Sequence, residues 1–393
     1  MRTMGRLAAS FVVFTALSAC AGDDGETAST TAAGTATTTA ATGSTATEGT
    51  GGTEGTGGTE GTGGTEGATG STTADTEGTA STSTTGETTT GETDSATTGD
   101  PGEPLLTDMR MFIFGHSLIN HEFTDDPPPS DELSVPHWQY LLAQQASYDY
   151  AVSGQYGFLL QHANLPPFSQ WGFDVVPPAW DSDNQPFADA DFTTVLITAA
   201  NFVQYKGPEE PYDGDNPNND SPVSATTTIV DWLLAEEPGL TIYIYENWPD
   251  MATIVGDFPP SQADLNTYHS VTQGAFHDWW LDYQDALLAA RPDANVRMIP
   301  VGPTIARLLT ETPLSGIPVD ALYEDDAPHG RPTIYFLAGL VTYMGTYGVP
   351  APGDFAIPEL VHPLVAENYD QVIDVIWEEL AGFSDGEGKS RVW

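Results

Sequence analysis

Residues 21–104 contain no aromatic residue, no Lys and no Arg, and this stretch decides where the fold must lie. It is built from Thr, Gly, Ser, Ala and Glu, with three perfect copies of Thr-Glu-Gly-Thr-Gly-Gly from Thr47 to Gly64. A six-residue period suits a β-solenoid only if each turn brings an apolar side chain to a shared core. Here no such position recurs, and the composition is that of a disordered tether. As a Gly-rich coil it spans roughly 50 Å end to end. A core must therefore come from residues 105–393, where Trp, Tyr, Phe, Leu and Ile are frequent. That length suits one large α/β domain.

The residues before the tether read as a targeting segment. Arg2 and Arg6 precede a short apolar stretch, Leu7 to Leu17, that is too brief to span a bilayer and ends in small residues. Leu17-Ser18-Ala19-Cys20 resembles the bacterial lipobox, which implies that Cys20 is acylated and becomes the mature N-terminus. An ordinary secretory signal that happens to contain a cysteine is the alternative. The expected organisation is a signal peptide over 1–19, a tether over 20–104 and a domain over 105–393, lipid-anchored in the cell envelope outside the cytoplasm. Cys20 is the only cysteine, so no intramolecular disulfide can staple the domain.

Charge narrows the partners. The tether holds 14 of the 56 acidic residues and the leader two of the ten basic ones, which leaves 42 acidic against 8 basic in residues 105–393, a net charge near −34. Such a field repels nucleic acid and anionic membrane surfaces, so contact with a membrane is expected only through the anchor at Cys20. It also disfavours strongly anionic substrates.

Along the domain, short apolar runs alternate with helical patterns. Met109 to Phe114, Tyr148 to Ser153, Phe192 to Thr198, Leu240 to Tyr245 and Val296 to Val301 read as strands. Helical periodicity covers His137 to Ala146, Thr226 to Ala235, a long stretch from about Ser261 to Ala290, a segment through Leu309, Pro332 to Tyr347 and Pro363 to Leu380. This alternation predicts a three-layer α/β/α fold around a five-stranded, mostly parallel sheet. Sites in such folds lie at the carboxyl ends of the strands, so catalytic motifs are expected just after a strand.

Gly115-His116-Ser117-Leu118 meets that condition, because it directly follows the first strand. A serine at a strand-to-helix turn exposes its hydroxyl at the sheet edge, beside backbone N–H groups that can receive an oxyanion. The same residue types also serve as helix N-caps. Near the far end, Asp326-Ala327-Pro328-His329 places an aspartate three residues before a histidine on a loop. A serine nucleophile needs a base, and the base needs a partner to hold its tautomer.

Together these residues resemble the SGNH (GDSL-type) hydrolase family, whose blocks occur in a set order. The first block is matched by Gly115-His116-Ser117-Leu118 and the second by Gly154-Gln155-Tyr156-Gly157. The third, normally Gly-x-Asn-Asp, is approximated by Ala199-Ala200-Asn201-Phe202, and the fifth is matched by Asp326 to His329. The resemblance spans Met109 to Gly348 and implies an SGNH/flavodoxin-like fold. It also implies Ser117 as nucleophile, His329 as base, Asp326 as its orienter, and an oxyanion hole of the Ser117 and Gly157 N–H groups with the Asn201 amide. His116 stands where Asp or Asn is usual, and Phe202 where the second Asp of the third block is usual. The expected activity is hydrolysis of small acyl esters, acetylated carbohydrate among them, with no cofactor and no metal. A lipase or thioesterase on the same scaffold, or a silent surface binding module, are the alternatives. His116 and Trp248, the latter in the segment after the fourth strand, are candidate substrate contacts.

Two further patterns are set aside. Gly382-Phe383-Ser384-Asp385-Gly386 fits Gly-x-Ser-x-Gly, but a helix precedes it where a strand is needed, and it reads as a polar tail. Asp213 to Asp220 is rich in oxygen ligands yet lacks the sixth-position glycine and acidic twelfth residue of an EF-hand, and reads as a surface loop.

Overall fold

The computed structural model describes residues 102–121, 134–173, 175–199 and 206–393. The apolar runs form strands β1 (Asp108–Gly115), β2 (Asp149–Tyr156), β3 (Thr194–Thr198), β4 (Thr241–Tyr245) and β5 (Val296–Ile299). They make one sheet in the order β2-β1-β3-β4-β5 with every pair parallel. All five residues of β3 are buried, as expected of a strand covered on both faces.

Between and after the strands lie α1 (Val135–Gln145), α2 (Leu159–His162), α3 (Pro222–Glu236), α4 (Gln262–Gln273), α5 (Ala275–Ala290), α6 (Val301–Glu311), α7 (Pro332–Tyr347), α8 (Pro363–Glu367) and α9 (Tyr369–Gly382). The chain runs outward from β1 to β2 through α1, then returns past β1 to β3 and continues the other way to β5. With one hand of crossover, that reversal puts helices on both faces of the sheet. Accordingly α1, α6, α7 and α9 pack on one another, and α2, α3 and α5 form a second group, completing three layers. The reversal leaves a switch point between β1 and β3, and a crevice at their carboxyl ends is where such sheets place ligands.

α7 is the most enclosed helix, with every residue from Thr333 to Tyr347 buried. Pro332 starts it, and Gly348 ends it in the left-handed region at φ 69°, where a side chain would be strained. On the other side of the sheet, Phe112 makes edge-to-face contacts with Trp180, Phe187 and Phe192, with centroids 5.6 to 5.7 Å apart.

Four expectations are adjusted. The long helix over 261–290 breaks into α4 and α5 at Gly274 (φ −108°, ψ −112°). The closing helix splits into α8 and α9 at Asn368 (φ −125°, ψ 23°). β2 runs on to Tyr156 because Gly154 continues the register with Ile113, while its carbonyl accepts the Gln170 and Trp171 N–H groups at 2.9 Å. The chain after α9 is no loose polar tail. Ser384 bridges Ser390, the Arg391 carbonyl accepts the Met298 N–H of β5 at 2.9 Å, and Val392 is fully buried. Ser384 thus belongs to a turn that covers the edge of the sheet, a common means of blunting an open strand. Asp213 to Asp220 is a turn, with the Asn216 amide donating to the carbonyls of Tyr212 and Asp220. No helix among the described residues is long and apolar enough to cross a membrane.

Candidate active site

β1 ends at Gly115, and close packing favours glycine there. A Cβ at that position would sit 3.0 Å from Ile113 Cγ2 and 3.0 Å from Trp171 Cζ3. The chain then turns through His116 and Ser117, leaving Ser117 half-buried at the switch point. The turn is pinned from two sides. The buried Tyr335 hydroxyl of α7 donates to the Ser117 carbonyl at 2.7 Å. His116 Nδ1 accepts the Leu118 N–H at 3.3 Å, so its Nε2–H is the donor to the Ala199 carbonyl, 2.9 Å away at the end of β3. Burial lowers His116 to a pKa of about 4, against the Ala199 bond that raises it and with a smaller lowering from the His329 charge. His116 is thus a neutral tie between β1 and β3. Being 1% exposed, it is not a substrate contact.

The loop after α6 brings the histidine to this serine. His329 Nε2 lies 3.0 Å from Ser117 Oγ. The carboxylate on its other nitrogen is that of Asp325, with Oδ2 2.6 Å from Nδ1, and not that of Asp326. The local turn explains the exchange. Asp325 Oδ1 accepts the N–H groups of Ala327 at 3.1 Å and His329 at 3.0 Å, which folds the loop back on its own carboxylate. Asp326 is exposed, and what it contributes is its carbonyl, which accepts the Met251 and Ala252 N–H groups at 3.0 Å each. Burial alone would raise the Asp325 carboxyl. The hydrogen bond and charge of His329, the backbone N–H and the His121 charge outweigh it and hold the group below its ordinary value.

The loop is closed at its base, with Tyr323 bridging Gly330, Glu324 N–H donating to the His329 carbonyl at 2.9 Å and Arg331 N–H to the Leu322 carbonyl at 2.8 Å. Trp248 secures it from below: its indole N–H donates to the Pro328 carbonyl at 2.9 Å. At 1% exposure Trp248 supports the loop and offers no face to a substrate.

The two remaining oxyanion candidates fare differently. The Gly157 N–H is already donated to the Gly115 carbonyl at 2.9 Å, so it is spent on holding β2 against β1 and does not face an oxyanion. Asn201 lies outside the described residues, as does Cys20. Among the described residues the Ser117 N–H meets no acceptor.

Three contributors escaped sequence reasoning. Asp325 was visible as half of an Asp-Asp pair, but the three-residue spacing favoured its neighbour. Tyr335 carried no signal, being one apolar-face residue of a buried helix. His121, four residues after Ser117, stacks on His329 with centroids 3.6 Å apart and planes 4° from parallel. Among the described residues, His121, Asp325 and His329 are the group whose ligand atoms lie close enough for a metal, all within 4.8 Å. Their arrangement suits proton transfer better. Both His329 nitrogens are engaged, and parallel stacked rings direct their lone pairs side by side rather than at one point.

No protein-family model and no curated protein matches the chain. Among solved structures it is similar to a candidate SGNH hydrolase from Slackia heliotrinireducens, at 17% identity and a TM-score of 0.32, over 60% of this chain and 97% of that one. At that score the functional reading rests on the geometry of Ser117, Asp325 and His329.

Proposed function

We propose that the protein is a serine esterase of the SGNH kind that hydrolyses small acyl esters, acetylated carbohydrate among them, through an acyl-enzyme on Ser117. The observation that carries this is the unbroken chain from Ser117 Oγ to His329 Nε2 at 3.0 Å and from His329 Nδ1 to Asp325 Oδ2 at 2.6 Å. A serine hydroxyl is a weak nucleophile, and a histidine at hydrogen-bond distance, oriented by a carboxylate, is what activates it. As Ser117 Oγ attacks the acyl carbon, His329 takes its proton, and Asp325 stabilises the imidazolium. His329 then returns the proton to the departing alcohol, and afterwards activates the water that releases the acid. The Ser117 N–H is one donor for the oxyanion, and the Asn201 amide is assigned as the second.

The preference for short acyl groups rests on the surroundings in sequence. Residues 122–133, which follow His121 in the chain, hold five acidic residues and three prolines and supply no long apolar stretch that would favour a hydrocarbon chain. The lipobox-like Leu17 to Cys20 and the tether support a location on the cell envelope, outside the cytoplasm. The deciding experiment is labelling with a fluorophosphonate probe, combined with hydrolysis of p-nitrophenyl acetate and decanoate. Labelling at Ser117, lost in Ser117→Ala, with acetate hydrolysed faster than decanoate, is the expected result. No labelling would overturn the enzyme reading, and a preference for decanoate would move it to a lipase.

A further inference from the structure

Two hydrogen bonds do not fix a flat ring. The contacts of His329 with Ser117 and Asp325 run through its two nitrogens, and two such contacts leave the ring free to roll about the line that joins the partner oxygens. Rolling about that line costs little in either bond, yet it turns the ring plane, and with it the path of the Nε2 proton, away from an oxygen that lies off the line, such as that of the leaving group. A base that must serve first Ser117 Oγ and then the leaving oxygen gains from a surface that keeps its plane. His121 supplies such a surface, with its ring 3.6 Å from that of His329 and 4° from parallel. It follows Ser117 by four residues, so the turn that presents the nucleophile also delivers the platform.

We propose that His121 is a positioning residue for the general base: it holds the plane of His329 and offers its π face to the imidazolium formed during proton transfer. The inference rests on the serine-esterase reading. His121 is itself held in place, with its side chain 23% exposed and Nε2 3.5 Å from Oε2 of Glu324, whose side chain is 11% exposed. The groups facing the ring are His329, Glu324 and Asp325. Burial and the His329 charge lower the His121 pKa, while the two carboxylates raise it, and the net direction is down. That direction favours the neutral form of His121. A neutral aromatic face attracts a cation, whereas a second cation at that distance would repel it.

The test uses the full-length enzyme and three variants, each with its melting temperature as a control on folding. His121→Ala is expected to lose about 10-fold in kcat with KM little changed. His121→Phe keeps the flat face and is expected to recover to within about 3-fold of the wild type. His121→Arg keeps a flat stacking group but adds a fixed charge. A like charge disfavours protonated His329, so the acid limb of kcat/KM should move to lower pH while kcat stays depressed. A purely structural role would restore Arg and Phe alike and leave the limb in place. Wild-type kcat in His121→Ala, an unmoved acid limb in His121→Arg, or a Phe variant as slow as Ala, would overturn the proposal. Failure of the esterase reading looks different, because wild-type Ser117 itself would then take no fluorophosphonate label.

Discussion

The Asp325 carboxylate meets three donors at once, the His329 ring and the N–H groups of Ala327 and His329, so it shapes the loop and orients the base together. An amide in its place would turn an N–H toward Nδ1 and favour the wrong tautomer. Asp325→Asn is therefore expected to lose ~10³–10⁴-fold in kcat, and His329→Ala at least ~10³-fold. Asp326→Asn keeps the backbone carbonyl that receives Met251 and Ala252 and should stay within about 3-fold of the wild type. Steady-state kinetics on the three variants check the assignment, and the opposite order for the two aspartates would restore Asp326 as the orienter. Asn201→Ala tests the oxyanion hole, where removal of one donor costs ~10²–10³-fold in kcat with KM little changed. An unimpaired kcat in that folded variant would remove Asn201 from the site. Ser117 and His329 were legible because a nucleophile and its base announce themselves by residue type and by position after strands. The choice between adjacent aspartates was not, since it depends on which carboxylate the turn folds over. Gly157 misled for a related reason: its motif marks where β2 ends, while the direction of its N–H depends on the neighbouring strand.

Element by element, what could be read early was whatever depends on local pattern. The five strands and their parallel arrangement follow from apolar runs too short for helices, separated by helical stretches. α7 matches its expected bounds, Pro332 to Tyr347, because proline and glycine mark both of its ends. The errors cluster where two elements are joined without a strong break. Gly274 lies inside an amphipathic pattern that continues across it, and only the backbone at φ −108° and ψ −112° separates α4 from α5. The C-terminal segment shows the opposite case. Its charges suggest a solvated tail, but Arg391 reaches Gln284 at 2.8 Å and Asp285 at 2.7 Å on α5, and Trp393 donates to the Gly345 carbonyl at 3.0 Å on α7. Such long-range closure leaves no periodic trace in the residues that make it.

For the whole molecule, the anchor and the pH dependence of stability are the two properties to test. If acylated Cys20 holds the protein to a membrane, Cys20→Ala should leave the membrane fraction while hydrolysis of p-nitrophenyl acetate persists. Full membrane retention of that variant would exclude this anchor. Stability should then respond to acid through buried histidines. His116, His162 and His269 are each lowered by burial to a pKa of about 4, against 6.5 when exposed. The folded state therefore binds fewer protons at these three sites than the unfolded chain. Their contribution is fully present above pH 6.5 and is lost as pH falls toward 4. Two groups act in the other sense. Burial raises Glu246 to about 7, and its carboxylate, 2.7 Å from His277, raises that histidine against the lowering effect of burial. The folded state holds extra protons there, and that contribution is lost as pH rises. At pH 5.5 the unfolded chain carries nearly a full proton on each of the three histidines, while Glu246 returns about one and His277 almost none. Relief of repulsion among the acidic surface groups acts in the opposite sense. The net expectation is a domain less stable at pH 5 than at pH 7. Urea midpoints of residues 105–393 at the two pH values measure it, with His269→Gln expected to narrow the difference. A midpoint equal or higher at pH 5 would show that the acidic surface, rather than the buried histidines, governs the response.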